Sequence, residues 1–172
     1  MVCNTIREIL VQAQERFGDK DAVRYKTGKD QIESKTYTQL RKDSEHFSGA
    51  LKSMEMQGAH VAVVGMTSYY WLVAYLGTVN CSSVAVPLDV ALPAAELCEL
   101  LDRADVSVLV YDEIRADVAE LAKKNCPKLK KIISMQKETA EGEIFSMKQL
   151  LEESDSGFDA WANPEDLCTI MF

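Results

Sequence analysis

"VAVVGMTSYYWLVAYLGTVNCSSVAVPLD", residues 61–89, alternates two kinds of apolar segment. "VAVVG" (61–65) is a continuous apolar run, the mark of a strand covered on both faces. "TSYYWLVAYLGTVN" (67–80) reads as a helix that is apolar around most of its circumference, with Thr67 or Ser68 as its cap. Such a helix is expected to be buried on more than one side. "SVAVPLD" (83–89) is a second strand of the first kind, ending at Pro87.

The alternation continues downstream. "PAAELCELLDRA" (93–104) is a helix with Pro93 in a first-turn position. "VSVLVYD" (106–112) is a strand, and "EIRADVAELAKKN" (113–125) a helix with acids at its start and lysines at its end. "KKIISM" (130–135) is a strand, "QKETAEGE" (136–143) a polar loop, and Ser146 with Gln149 a capping box opening a short helix. "LCTIMF" (167–172) reads as another buried strand. Five apolar strands separated mostly by helices predict a parallel sheet with helices on both faces.

Upstream, Thr5 and Glu8 form a capping box, and Ile6, Ile9, Leu10, Ala13 and Phe17 share one helical face. Gly18 suits the stop. "AVRYK" (22–26) and "IESKTY" (32–37), joined by the turn-like "TGKD" (27–30), read as a β-hairpin. "YTQLRKDSEHFSGALKSM" (37–54) is an amphipathic helix with Thr38 as its cap. The expected fold class is α/β: a largely parallel sheet preceded by an N-terminal helix and a hairpin. Residues 1–172 form a single unit, with helix, hairpin and amphipathic helix in 1–57 and repeated strand–helix units in 58–172.

Composition narrows the function classes. At 172 residues, 47 % hydrophobic and 27 % charged, the chain has the make-up of one folded domain. The net charge of −8 argues against nucleic acid as a partner. Lys123, Lys124, Lys128, Lys130 and Lys131 read as a helix C-terminus followed by a solvated loop. No stretch approaches the roughly 20 apolar residues of a membrane span, and residues 1–10 show no signal-peptide core. Five scattered cysteines without a C-x-x-C pair fit a reducing cytoplasm. Two histidines, His46 and His60, lie far from any metal-site spacing.

In open α/β sheets, ligands bind beyond the carboxyl ends of the strands. Met66, Thr67, Ser68, Asp89, Asp112, Glu113, Met135 and Gln136 occupy those places. Gly65 to Ser68 could offer amides to a phosphate, but the turn lacks the further glycines of a dinucleotide fingerprint and the Gly-Lys-Ser/Thr of a P-loop. Asp89 and Asp112 could chelate a cation, though single acids at helix starts commonly serve the helix dipole. Ser82 and Ser83 read as turn residues, since no histidine follows a strand to activate a nucleophile. The aromatic cluster Tyr69, Tyr70, Trp71 and Tyr75 reads as core packing or a groove lining. No catalytic, cofactor-binding or metal-binding residue is assigned.

Taken in order, residues 35–54, 61–80 and 83–112 resemble the N-terminal part of the adenylate-forming (AMP-binding) enzymes. The flavour is that of bacterial long-chain fatty acid CoA ligases, where "SYYWLVAYLGTVN" followed by "VAVPLD" is characteristic. The resemblance runs from Thr5 to Phe172. It implies a parent enzyme in which a fatty acid carboxylate attacks the α-phosphate of Mg-ATP, giving an acyl-adenylate and pyrophosphate. Coenzyme A then displaces AMP. It also implies that "LCTIMF" leads into a Thr/Ser/Gly-rich phosphate loop, so the chain is expected to be a fragment, truncated before that loop and inactive alone. The groups for ATP, magnesium and coenzyme A would lie in the missing remainder. The sequence departs from the family pattern at Gly58-Ala59-His60, at Thr67 and Tyr70, and at Cys81-Ser82-Ser83. A free-standing flavodoxin-like binding or interaction module is the alternative. A phosphorylated receiver is disfavoured because Met66-Thr67 stand where it needs paired acids.

Overall fold

The computed structural model describes residues 3–26, 31–155 and 161–172. The N-terminal helix α1 (Ile6–Phe17) is capped by Thr5, whose hydroxyl accepts from Glu8 N. The Glu8 carboxylate reaches one residue past the cap, to Asn4 N at 2.6 Å. Gly18 ends the helix at φ 49°, a left-handed conformation, and its N–H returns to Gln14 O. Strands β1 (Asp21–Lys26) and β2 (Ile32–Thr36) pair antiparallel, as the hairpin reading requires. The "TGKD" turn lies outside the described residues.

Helix α2 (Tyr37–Ser53) begins where the helical stretch is expected to begin, but its cap differs. Thr36, not Thr38, is the cap, and with Gln39 it closes a full capping box: Gln39 N donates to Thr36 Oγ1, Thr36 N to Gln39 Oε1. The reason is in the spacing, because only Thr36 has a Gln three residues on. Strand β3 (His60–Val64), helix α3 (Tyr69–Asn80) and strand β4 (Val84–Leu88) follow. Then come α4 (Ala94–Arg103), β5 (Val106–Tyr111), a 3₁₀ turn (Glu113–Arg115) and α5 (Ala116–Asn125). Strand β6 (Lys131–Ser134), strand β7 (Ile144–Ser146) and helix α6 (Met147–Glu153) complete the set. Pro93 caps α4 from just outside the helix.

Among the described residues the main sheet has five strands in the order β4-β3-β5-β6-β7, all parallel. Alternate residues of β3 serve two hydrophobic clusters. Val61 and Val63 join one with residues of α2, α3 and α6; Ala62 and Val64 join the other with residues of α4 and α5. A strand buried on both faces must be apolar at every position, which explains the unbroken "VAVV". No described helix is long and apolar enough to cross a membrane.

Two expectations about the strands are corrected. The fifth strand of the sheet is β7, three residues paired to β6 through Ile132↔Ile144, and not "LCTIMF". Residues 167–172 instead lie along the outer edge of β4, joined by a single parallel bridge, Ala85↔Thr169. Leu167, Met171 and Phe172 are exposed, so this segment is an edge contact rather than a buried strand. The second capping box is also half-formed. Ser146 accepts from Gln149 N, but the Gln149 side chain turns to Ala140 N and Glu153.

Candidate functional site

The carboxyl ends of β3, β4 and β5 gather Gly65 to Ser68, Asp89 and Asp112 along one rim of the sheet. With β3 first, the strand order is 2-1-3-4-5, and the order reverses between β3 and β5, where such sheets open a ligand crevice. Here that place is closely packed. A Cβ on Gly65 would lie 2.5 Å from the Asp112 Cβ, so glycine is what lets the two strand ends meet. Asp112 N donates to Val64 O at 2.9 Å, tying them together.

Most of the candidate side chains are already committed locally. Ser68 accepts from Trp71 N and caps α3, while Thr67 and Met66 face solvent. Asp89 accepts from Ala91 N, the side-chain turn that starts the loop to α4. Asp112 is buried and accepts from Ile114 N, capping the 3₁₀ turn. Glu113 accepts from Ser134 Oγ at 2.5 Å, and its own N–H donates to Gln136 Oε1. Met135 is a core residue. Beside Glu113, burial and then the carboxylate push the Tyr111 phenol up to about 12.

Sequence reasoning missed Arg115. Its guanidinium donates to Val90 O and Leu92 O across the rim and pairs with Asp117 at 3.0 Å. It thereby pins the loop after β4 to the start of α5. A lone arginine paired across more than 20 residues leaves no periodic trace in a sequence.

The other singled-out residues serve the fold. His46 Nδ1 meets Leu151 O and His60 Nδ1 meets Ala104 O. A carbonyl only accepts, so each ring nitrogen carries the proton there. Tyr69 is buried, donates to Asp43 at 2.6 Å and stacks on Tyr25. Burial and Asp43 push its phenol far upward. Tyr70 packs edge-on to Tyr69, and Trp71 stacks on Tyr75 with ring centroids 5.7 Å apart. Among the described residues no group of three or more His, Cys, Asp or Glu side chains could hold a metal ion. With Asp112 and Glu113 engaged as above, these residues do not fit a magnesium site.

The sequence profile of the AMP-binding enzyme family matches residues 10–172. The chain belongs to that family. A curated relative from Rhodococcus jostii (strain RHA1), a 3-[(3aS,4S,7aS)-7a-methyl-1,5-dioxo-octahydro-1H-inden-4-yl]propanoyl:CoA ligase, is 33 % identical over 107 residues. That match covers 62 % of this chain and 20 % of the relative. Among solved structures, the coronafacic acid ligase of Pectobacterium brasiliense superposes with a TM-score of 0.85 at 15 % identity, over 96 % of this chain and 33 % of that one. A long-chain-fatty-acid-CoA ligase from Archaeoglobus fulgidus gives 0.82 at 16 %, over 97 % and 34 %. The fold is therefore that of the N-terminal domain of the adenylate-forming ligases, and the chain spans about a third of the length of these solved relatives.

Proposed function

We propose that this chain forms the N-terminal third of an AMP-forming CoA ligase of the cytoplasm. The parent activates a carboxylic acid, a long-chain fatty acid on the sequence flavour, with ATP to the acyl-adenylate, then transfers the acyl group to coenzyme A. The observation that carries the reading is the family match across residues 10–172. The direction of residues 168–170 fits it: they run parallel to β4 and lead the chain toward the carboxyl rim of the sheet.

What these residues supply, on this reading, is a scaffold: a rigid rim from which a phosphate-holding loop is displayed. Holding two mutually repelling anions in line requires donors fixed before the reaction. A packed parallel sheet provides that rigidity. The donors themselves, and the groups for magnesium and coenzyme A, belong to the remainder of the parent. The chain alone is then inactive. The relatives named above act on chemically different acids, so the acyl substrate is the finest part of this proposal.

Two measurements test it. The reading frame after codon 172 is expected to encode a Thr-Ser-Gly-Thr-Thr-Gly-like loop, and a stop codon there overturns the fragment reading. The polypeptide extended through that frame is expected to exchange labelled pyrophosphate into ATP when given a fatty acid. Exchange by residues 1–172 alone would show that catalytic groups lie here after all. The flavodoxin-like alternative shares the 2-1-3-4-5 order, but the family match across residues 10–172 favours the ligase reading.

A further inference from the structure

Residues 168–170 are held to β4 by two backbone bonds, both at Ala85: its N donates to Cys168 O and its O accepts from Ile170 N, each at 2.9 Å. Backbone groups alternate sides along a strand. Val84 N points inward to Ala59 O, so Ala85 faces outward and Pro87 is the next outward position. Proline has no N–H to give. This edge of β4 therefore offers the incoming segment one fixed donor, at Ala85, and no second donor at Pro87. Backbone bonding this sparse specifies register weakly, because a slip of two residues would rebuild much the same bonds.

Ile170 packs on the core and Ala162 N bonds Asn80 O just upstream, and a specific side-chain contact adds to these in breaking the degeneracy. Tyr75 OH lies 3.0 Å from Thr169 Oγ1. The Tyr75 ring is stacked on Trp71, nearly parallel at 7°, which fixes where the hydroxyl can reach. On the same side of the segment as Thr169 stand Leu167 and Met171, two residues away in each direction. Neither has a hydroxyl, nor does either immediate neighbour, Cys168 or Ile170. Only the observed register gives Tyr75 a hydroxyl partner on this segment. We propose that Tyr75 is a positioning residue that, through Thr169, sets the register of residues 167–172 on β4 and so fixes where the chain leaves the carboxyl rim. Its consequence for catalysis rests on the ligase reading above: a register slip displaces the start of the phosphate loop, whereas a correct register presents it.

The register and its consequence are tested separately. On residues 1–172, amide hydrogen exchange followed by NMR is compared for wild type, Tyr75→Phe, Thr169→Val and the double variant. Phenylalanine keeps the stack and valine keeps the shape, so both variants are expected to fold. Each single change is expected to speed exchange at the Ile170 amide about fivefold relative to the core amide of Val110, the factor that one net hydrogen bond represents. The double variant is expected to add nothing further. An unprotected Ile170 amide in the wild type, or no change in Tyr75→Phe, overturns the proposal. In the extended polypeptide, Tyr75→Phe is expected to raise KM for ATP several-fold while leaving KM for the carboxylate unchanged. Equal effects on both overturn the link to the phosphate loop. If the wild-type extended polypeptide exchanges no pyrophosphate with any carboxylate, the ligase reading fails, and the Ile170 result still decides the register.

Discussion

Gly77 of α3 and Phe47 of α2 meet with no room for a methyl group between them. A Cβ placed on Gly77 would fall 2.8 Å from Phe47 Cβ and 2.6 Å from Ser44 O. The closeness lets Ser48 Oγ donate to Gly77 O at 2.7 Å, a buried bond across the two helices. These helices form the layer over one face of the sheet, so their spacing sets how that core is filled.

Gly77→Ala is therefore expected to destabilise the chain by about 1–3 kcal/mol, the usual cost of overpacking. Alanine favours the helix by roughly 1 kcal/mol over glycine, and that gain is too small to offset the clash. Urea unfolding at neutral pH measures the difference. A midpoint equal to or above the wild type's would mean that α2 and α3 separate freely.

Glu45 lies between two guanidinium groups, Arg41 at 2.9 Å on its own helix and Arg7 at 3.4 Å on α1. Arg41 also donates to Gln14 on α1, and Arg7 lies over the Trp161 ring at 3.9 Å. Removing the carboxylate leaves two partly buried cations facing each other. Glu45→Ala is expected to cost about 2 kcal/mol, in the range of charge-assisted bonds, with both arginines retaining some solvent. Glu45→Gln keeps an acceptor and is expected to cost less. Thermal unfolding at low and high salt separates the ionic share, since screening narrows the gap between the wild type and either neutral variant.

The repeated strand–helix pattern was legible because burial on both faces forces β3, β4 and β5 to be apolar at nearly every position. Strand β7 was not, because three residues, Ile144, Phe145 and Ser146, are too few to show a period. The Thr36–Gln39 box was present in the sequence and lost to the nearer-looking Thr38. Residues 167–172 carry a buried strand's composition yet lie exposed on the edge of β4. Composition records what a segment can bury, and says nothing of what lies beside it. At the rim, the identity of the strand-end residues was readable, but their local commitments were not. That Asp112 packs on Gly65, or that Arg115 reaches the carbonyls of residues 90 and 92, follows only from the order of the strands.

The five cysteines are free and sit in very different surroundings. Cys168 is exposed, whereas Cys81, Cys98 and Cys126 are buried. Burial pushes the Cys126 thiol up to about 12, and those of Cys81 and Cys98 upward as well. The thiolate is the reactive form. With a maleimide near pH 7, Cys168 is expected to label at least tenfold faster than the three buried thiols, an estimate from its accessibility and their scarcity of thiolate. Mass spectrometry of peptides after timed quenching reads the order directly. Rapid labelling at Cys126 would mean that the α4–α5 layer opens readily.

Alkaline pH addresses two shielded phenols, half-buried Tyr25 and buried Tyr111. Tyr25 and Tyr111 are both pushed up to about 12, chiefly by burial and then by a neighbouring carboxylate, Glu33 and Glu113 respectively. An unfolded tyrosine ionises near 10. The folded state thus holds each proton more tightly than the unfolded state does. The resulting stabilisation is fully present below about pH 10 and is lost as the pH climbs toward 12. The urea midpoint is expected to fall across that window, more steeply for the wild type than for Tyr111→Phe, which has no phenol to ionise at that position. Equal slopes for Tyr111→Phe and wild type would show that the Tyr111 phenol is as free to ionise in the fold as in water.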